Sequence, residues 1–197
     1  METELFSKET DFMKNTYFTS YFPLITILLF SASLSIVTVM IVIDFLQVFG
    51  IYDGMLEFFS NSGIKLALFI VFSLLFFMLF SALKLIANTV TELSLLFFSK
   101  DVAGENLTKI RGGSSIYLIG GALSIAAVQY PYAIIGIFLL STLIYFVFIV
   151  YKFSQSLTSL SLIGLVLFHV LFWFIFILGT LYLCFRLYNS VMASLPV

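Results

Sequence analysis

The sequence predicts an all-α fold: a polytopic membrane helix bundle of about five transmembrane helices with short interfacial helices. Three observations carry that prediction. Hydrophobic residues fill 62% of the 197 positions and charged residues 10%, against about 25% charged in soluble domains, whose surfaces must face water. Five segments approach or exceed the roughly 20 apolar residues that a helix needs to cross a hydrocarbon core about 30 Å thick. Basic residues gather on alternate connections between those segments, the bias that marks the cytoplasmic side of membrane proteins.

Residues 1–19 form a polar N-terminal tail. The apolar run after Lys14 is longer than the h-region of a signal peptide, and no small-residue cleavage site follows it, so it reads as a membrane helix. Met13 offers an alternative start. The bundle occupies residues 20–186. Its first span is Tyr21–Ile43, ended by Asp44, and its second is Ile64–Ala87, with Lys84 near its end. The third, Ser115–Gln129, is the weakest: its 15 residues of helix reach only about 22 Å. Gly120 and Gly121 within it suit close helix packing better than contact with lipid. The fourth span is Tyr132–Tyr151, ended by Lys152; the fifth is Leu160–Phe185, ended by Arg186; residues 187–197 are a short tail.

The connections are not plain solvated loops. Residues 44–63 alternate acids with Phe45, Leu46, Phe49, Leu56, Phe58 and Phe59, a pattern for short helices lying in the interface, broken at Gly50 and Gly54. The stretch "NTVTELSLLFFSK" from Asn88 either continues the second helix or folds back along the surface. The following "DVAGENLTKIRGG" is polar and, with Lys100 just before it, reads as a cytoplasmic contact loop through Lys100, Lys109 and Arg111.

Five spans place the termini on opposite sides. Lys8, Lys14, Lys84, Lys100, Lys109, Arg111 and Lys152 then share a side with the N-terminus, and only Lys65 and Arg186 fall opposite. The expectation is a multi-span membrane protein with its N-terminus in and its C-terminus out. The short third span is the hinge of this expectation: if it fails to cross, the C-terminus changes side.

Polar residues inside the spans are the candidate functional or packing residues. His169, the only histidine, lies about 13 Å into the fifth helix. Phe172, Trp173, Phe176 and Thr180 share its face. No acid lies in any span to pair with it, so the favoured reading is a neutral ring hydrogen-bonded to a hydroxyl or a backbone carbonyl, joining helices rather than relaying protons. Lys84 belongs to a stripe of Ser73, Ser81, Asn88 and Thr91 on one face of the second helix. That stripe suits either an aqueous path or, as favoured here, a lysine whose stem reaches up to the headgroups. Ser31, Ser35 and Thr38 form a second stripe, the spacing of a helix contact. "RGGSS" from Arg111 offers backbone N–H groups to a phosphate, but reads more simply as a turn into a helix.

The stretches "MKNTYFTSYFPLITILLFS" and "LTKIRGGSSIYLIGG" resemble the YufK-like family of small Bacillus-type membrane proteins, over most of the chain after Met13. The resemblance implies a bacterial plasma membrane and several spans, and no reaction. The residues before Met13 depart from the family's pattern.

A net charge of −1 leaves no footprint for nucleic acid, and one cysteine, Cys184, allows neither an internal disulfide framework nor a Cys-rich metal site. Asp53 and Glu57 have no His or Cys beside them, and no nucleotide, hydrolase or zinc motif occurs. The expectation is therefore a non-enzymatic membrane protein without cofactor. It would act through lipid or helix contacts, including a protein partner or homo-oligomer, and through its inner loop. The alternatives are a small transporter or channel subunit and, third, a lipid-modifying enzyme.

Overall fold

The computed structural model describes residues 21–99, 107 and 110–194. These form α1 (Phe22–Val48), α2 (Ile51–Leu56), α3 (Asn61–Phe98), a 3₁₀ turn (Arg111–Gly113), α4 (Ser114–Ala126), α5 (Pro131–Ser154) and α6 (Ser159–Ser194), with no strand among the described residues. The helices α1, α3, α5 and α6 are long and apolar enough to cross a membrane. The protein is an all-α polytopic membrane bundle. The tail 1–19, including Met13, and Lys100, Lys109 and residues 195–197 lie outside the described residues.

The helices outrun the apolar spans, because a charge ends a span without ending a helix. Asp44 is exposed, and α1 continues to Val48. What stops it is Gly50, whose φ of 66° places it in the left-handed region where a side chain is strained; its N–H closes onto the Gln47 carbonyl at 3.0 Å. Gly54, expected to break the loop helix, sits inside α2. At the other side of this connection Ser60 caps α3, accepting the Gly63 N–H at 3.1 Å. The stretch after Ala87 continues α3 to Phe98: Val90, Thr91, Ser94 and Leu95 are buried, one helical face at the expected period. Likewise Arg186 does not end α6, which takes up most of the expected C-terminal tail and runs to Ser194. At 38 and 36 residues, α3 and α6 reach about 57 and 54 Å.

Three apolar clusters run along the bundle and set the direction of each helix. Val39, Ile43, Tyr52 and Ile64 hold the far end of α1 against the start of α3; the Tyr52 hydroxyl donates to Asn61 Oδ1 at 2.9 Å and ties α2 down. Phe30, Val37, Phe80 and Ile134 fill the middle. Leu95, Ile110, Ile149, Phe153 and Leu165 join the end of α3, the end of α5 and the start of α6. So α1, α4 and α6 run one way, α3 and α5 the other.

The short α4 has a consequence for this layout. It spans 13 residues, about 20 Å. Ala127 and Val128, just past its end, pack into the middle cluster with Val37, about 16 Å short of Val48 along α1. Helix α5 starts at the same level and returns, so α4 and α5 are the two arms of one hairpin. The depth of its turn therefore does not decide where α6 begins: both arms share that turn, and α6 starts at the Phe22 end of the bundle in either case.

Candidate functional site

Two structures made from small and polar residues lie side by side in the Phe22 half of the bundle. One is a packed seam. Gly121 brings α4 against α1: a methyl group there would meet the Leu29 side chain at 3.1 Å. At Gly120 a methyl group would collide with the Ser141 hydroxyl of α5. The close approach lets Ser33 and Ser124 meet across the seam, Oγ to Oγ at 2.6 Å. Each hydroxyl also lies within reach of a carbonyl of its own helix, Ser33 of Leu29 at 2.6 Å and Ser124 of Gly121 at 2.7 Å, so the two hydrogens are shared among three contacts. Small residues with hydroxyls are how membrane helices come close without a hydrophobic force between them.

The other is a cavity of about 430 Å³ walled by α1, α3, α4, α5 and α6. Its wall is mainly apolar and holds six Phe and Trp rings: Phe30, Phe80, Phe138, Phe146, Trp173 and Phe176. Phe30 packs edge-on to Phe138, with ring centroids 5.4 Å apart, and Trp173 edge-on to Phe176 at 5.6 Å. Polar groups are few. The Lys84 ammonium lies over the Tyr145 ring, 5.6 Å from its centroid, an attractive arrangement for a cation. The Tyr117 hydroxyl donates to Thr142 Oγ1 at 3.2 Å, and Thr142 to the Phe138 carbonyl at 2.9 Å. Among the described lining residues there is no Asp or Glu.

His169 and Thr26 complete the wall. His169 is 4% exposed, and its Nδ1 lies 3.1 Å from the Leu165 carbonyl. A carbonyl only accepts, so Nδ1 carries the hydrogen; the neutral ring then presents Nε2 as an acceptor. Thr26 is 6% exposed. Among the described residues the buried side-chain polar atoms with no hydrogen-bond partner are Thr26 Oγ1, Ser31 Oγ and His169 Nε2. Two of these three residues, Thr26 and His169, line the cavity, while the unpartnered atoms themselves are buried. Buried polar groups are paired as a rule, and exceptions need a reason.

The structure thus brings Lys84 and His169, read separately from the sequence, onto one cavity. Of the α3 stripe it adds Thr91 but not Ser73, Ser81 or Asn88. Ser31 and Ser35 are fully buried, and Ser35 donates to the Ser31 carbonyl at 2.6 Å. Thr38 donates to the Leu34 carbonyl at 2.8 Å. None of these three lines the cavity. Arg111 is exposed in its turn. The serines after it donate to the Arg111 and Gly112 carbonyls, both at 2.8 Å. Gly113 is buried, and its missing side chain admits the Tyr145 and Phe148 rings. Thr26, Ser33, Tyr117, Ser124, Thr142 and Tyr145 were not legible as site residues. Each is an ordinary residue of an apolar helix until a neighbouring helix is placed beside it.

A family model described as "Family of unknown function (DUF5366)" matches residues 38–196. The chain is 58% identical over 185 residues to "Uncharacterized membrane protein YufK" of Bacillus subtilis (strain 168), a match that takes in 94% of this chain and 100% of the relative. No solved structure matches the chain.

Proposed function

The chain belongs to the DUF5366 family, and from that premise we propose that it is a membrane-embedded binding protein that takes an apolar molecule from the bilayer into the aromatic cavity, without catalysis. The observation that carries this reading is the cavity itself: about 430 Å³, within the range of about 300–1,000 Å³ typical of small-molecule sites, with mostly apolar walls and a few polar groups. Toward the far end of α1 the helices pack around Val37 and Ile134. This supports a chamber over a through-path, and so binding over conduction.

Trp173 is the only tryptophan and lines the cavity, so its fluorescence reports occupancy. In purified protein in non-ionic detergent, 11-bromoundecanol should quench Trp173 saturably. The variant Ala87→Phe, which fills the cavity from α3, should abolish the saturable part while melting as the parent does. Quenching that never saturates, or that is equal in the variant, would remove this reading.

The reading includes an orientation with the Phe22 end of the bundle in the cytoplasm. Arg111 and Lys152 at that end support it, by the positive-inside bias, and the α4–α5 hairpin places Ser194 at the opposite end. In a Cys184→Ser background, a membrane-impermeant thiol reagent on intact cells should label Ser194→Cys and spare Ser156→Cys until the membrane is opened. Labelling of position 156 alone would invert the orientation.

A further inference from the structure

Resting on the binding reading above, we infer that the cavity is entered sideways, through a portal between α5 and α6, by the hydrocarbon chain of a molecule dissolved in the bilayer. The first argument is where these two helices are joined. Ile149 and Phe153 of α5 pack with Leu165 of α6 near the Ser154 end of α5. About one turn further along, the Phe146 and His169 rings stand 5.9 Å apart. Beyond that contact the joint opens. Leu139 of α5 and Ile177 of α6 both line the cavity, yet they are 60% and 54% exposed. Each stands about 10–12 Å along its own helix from the ring contact, so the two lie at one level. Residues that are wall and outer surface at once mark a gap in the wall. On the opposite wall Phe30 and Phe80 are buried.

The second argument is what the gap faces. Beside it Leu140 and Leu143 on α5, and Phe174 and Leu178 on α6, are exposed and apolar, on helices long and apolar enough to cross a membrane. Ile177 stands halfway along α6. The mouth therefore opens on lipid tails, away from water and headgroups. The third argument is the polar group at the mouth. Thr142 is exposed, lines the cavity and lies one turn from Leu139. Its hydroxyl accepts from Tyr117 at 3.2 Å and donates to the Phe138 carbonyl at 2.9 Å. With those bonds made within the bundle, the mouth suits a passing chain.

The test measures how fast 11-bromoundecanol reaches and leaves Trp173, by stopped-flow quenching of the full chain in bicelles. Leu139→Phe with Ile177→Phe narrows the portal; Leu139→Ala with Ile177→Ala widens it. Both residues are exposed, so neither pair empties or overfills the packed clusters. A door changes entry and exit by one factor and leaves their ratio, the Kd, in place. The narrow pair should slow both rates by about tenfold, within the spread of on-rates among variants of one site, and the wide pair should raise both. A change in Kd carried by the exit rate alone would make the two residues ligand contacts and overturn the portal. Parent rates in both pairs overturn it as well, and slowing by Ser114→Phe in their place would put the entrance at the start of α4, where that serine lines the cavity. In these cases the probe still saturates and the chamber stands. Absence of saturable quenching in the parent overturns the chamber and the portal together.

Discussion

Ser33 and Thr26 stand two turns apart on α1, both buried, and meet opposite fates. Ser33 finds Ser124 at 2.6 Å across the seam; Thr26 lines the cavity, and its buried Oγ1 finds no partner. The difference lies in the neighbour. Gly121 brings α4 against the turn of α1 that holds Leu29 and Thr26, and one turn further on Ser124 meets Ser33. The other side of the Thr26 turn belongs to the cavity, whose lining includes Phe30, Phe80 and Phe138. A polar residue in a membrane helix thus joins helices only where a polar group of the neighbouring helix comes within reach of it.

The strongest way to break the comparison is Gly120→Leu. The added side chain must displace Ser141, which a methyl group alone would already crowd, and then press on Phe30. Overpacking of this kind costs about 1–3 kcal/mol, so the melting temperature in bicelles should fall clearly, and the seam should open. An unchanged melt would mean that the helices are not held in this register.

Thr26→Val should act in the opposite direction. The change keeps the shape and removes a buried hydroxyl that has no partner, so stability should rise by up to about 1 kcal/mol. A loss of stability in unfolding titrations would show that the hydroxyl is satisfied within the bundle.

A smaller loss is expected at the seam's hydrogen bond. Ser33→Ala, Ser124→Ala and the double variant form a cycle whose coupling should be about 0.6 kcal/mol, the average for bonds between membrane helices. Zero coupling would leave the glycines as the seam's whole cause. Smallest of all is Ser73→Ala on α3: it lies on the stripe of Lys84 but off the cavity, so probe affinity should not change and stability should move by less than about 0.5 kcal/mol. A weakened probe would extend the site along the stripe.

The helical class, the membrane and the rough place of each span were legible in the sequence, because they follow from local composition and from the length a bilayer demands. The ends of the helices were less so. The charges at Asp44 and Arg186 mark where lipid gives way to water, while the backbone hydrogen bonds of α1 and α6 continue past both. His169 and Lys84 stood out individually, since an ionisable group in an apolar run is costly wherever it lies. The Tyr145 ring beneath the Lys84 ammonium did not stand out, because a tyrosine in an apolar helix carries no such cost signal.

By itself, then, the sequence determined an all-α bundle in a membrane, with a short third segment rich in glycine and one histidine and one lysine at depth. Only the tertiary structure decided that this segment and the next are arms of one hairpin, that the glycines close a seam between α1, α4 and α5, and that His169 and Lys84 share a chamber. The physical reason is that hydropathy and helical period are properties of one helix at a time. A seam and a cavity are properties of the distance between helices, set by which side chains meet across it: glycine against Leu29 and Ser141 in one place, ring against ring in the other.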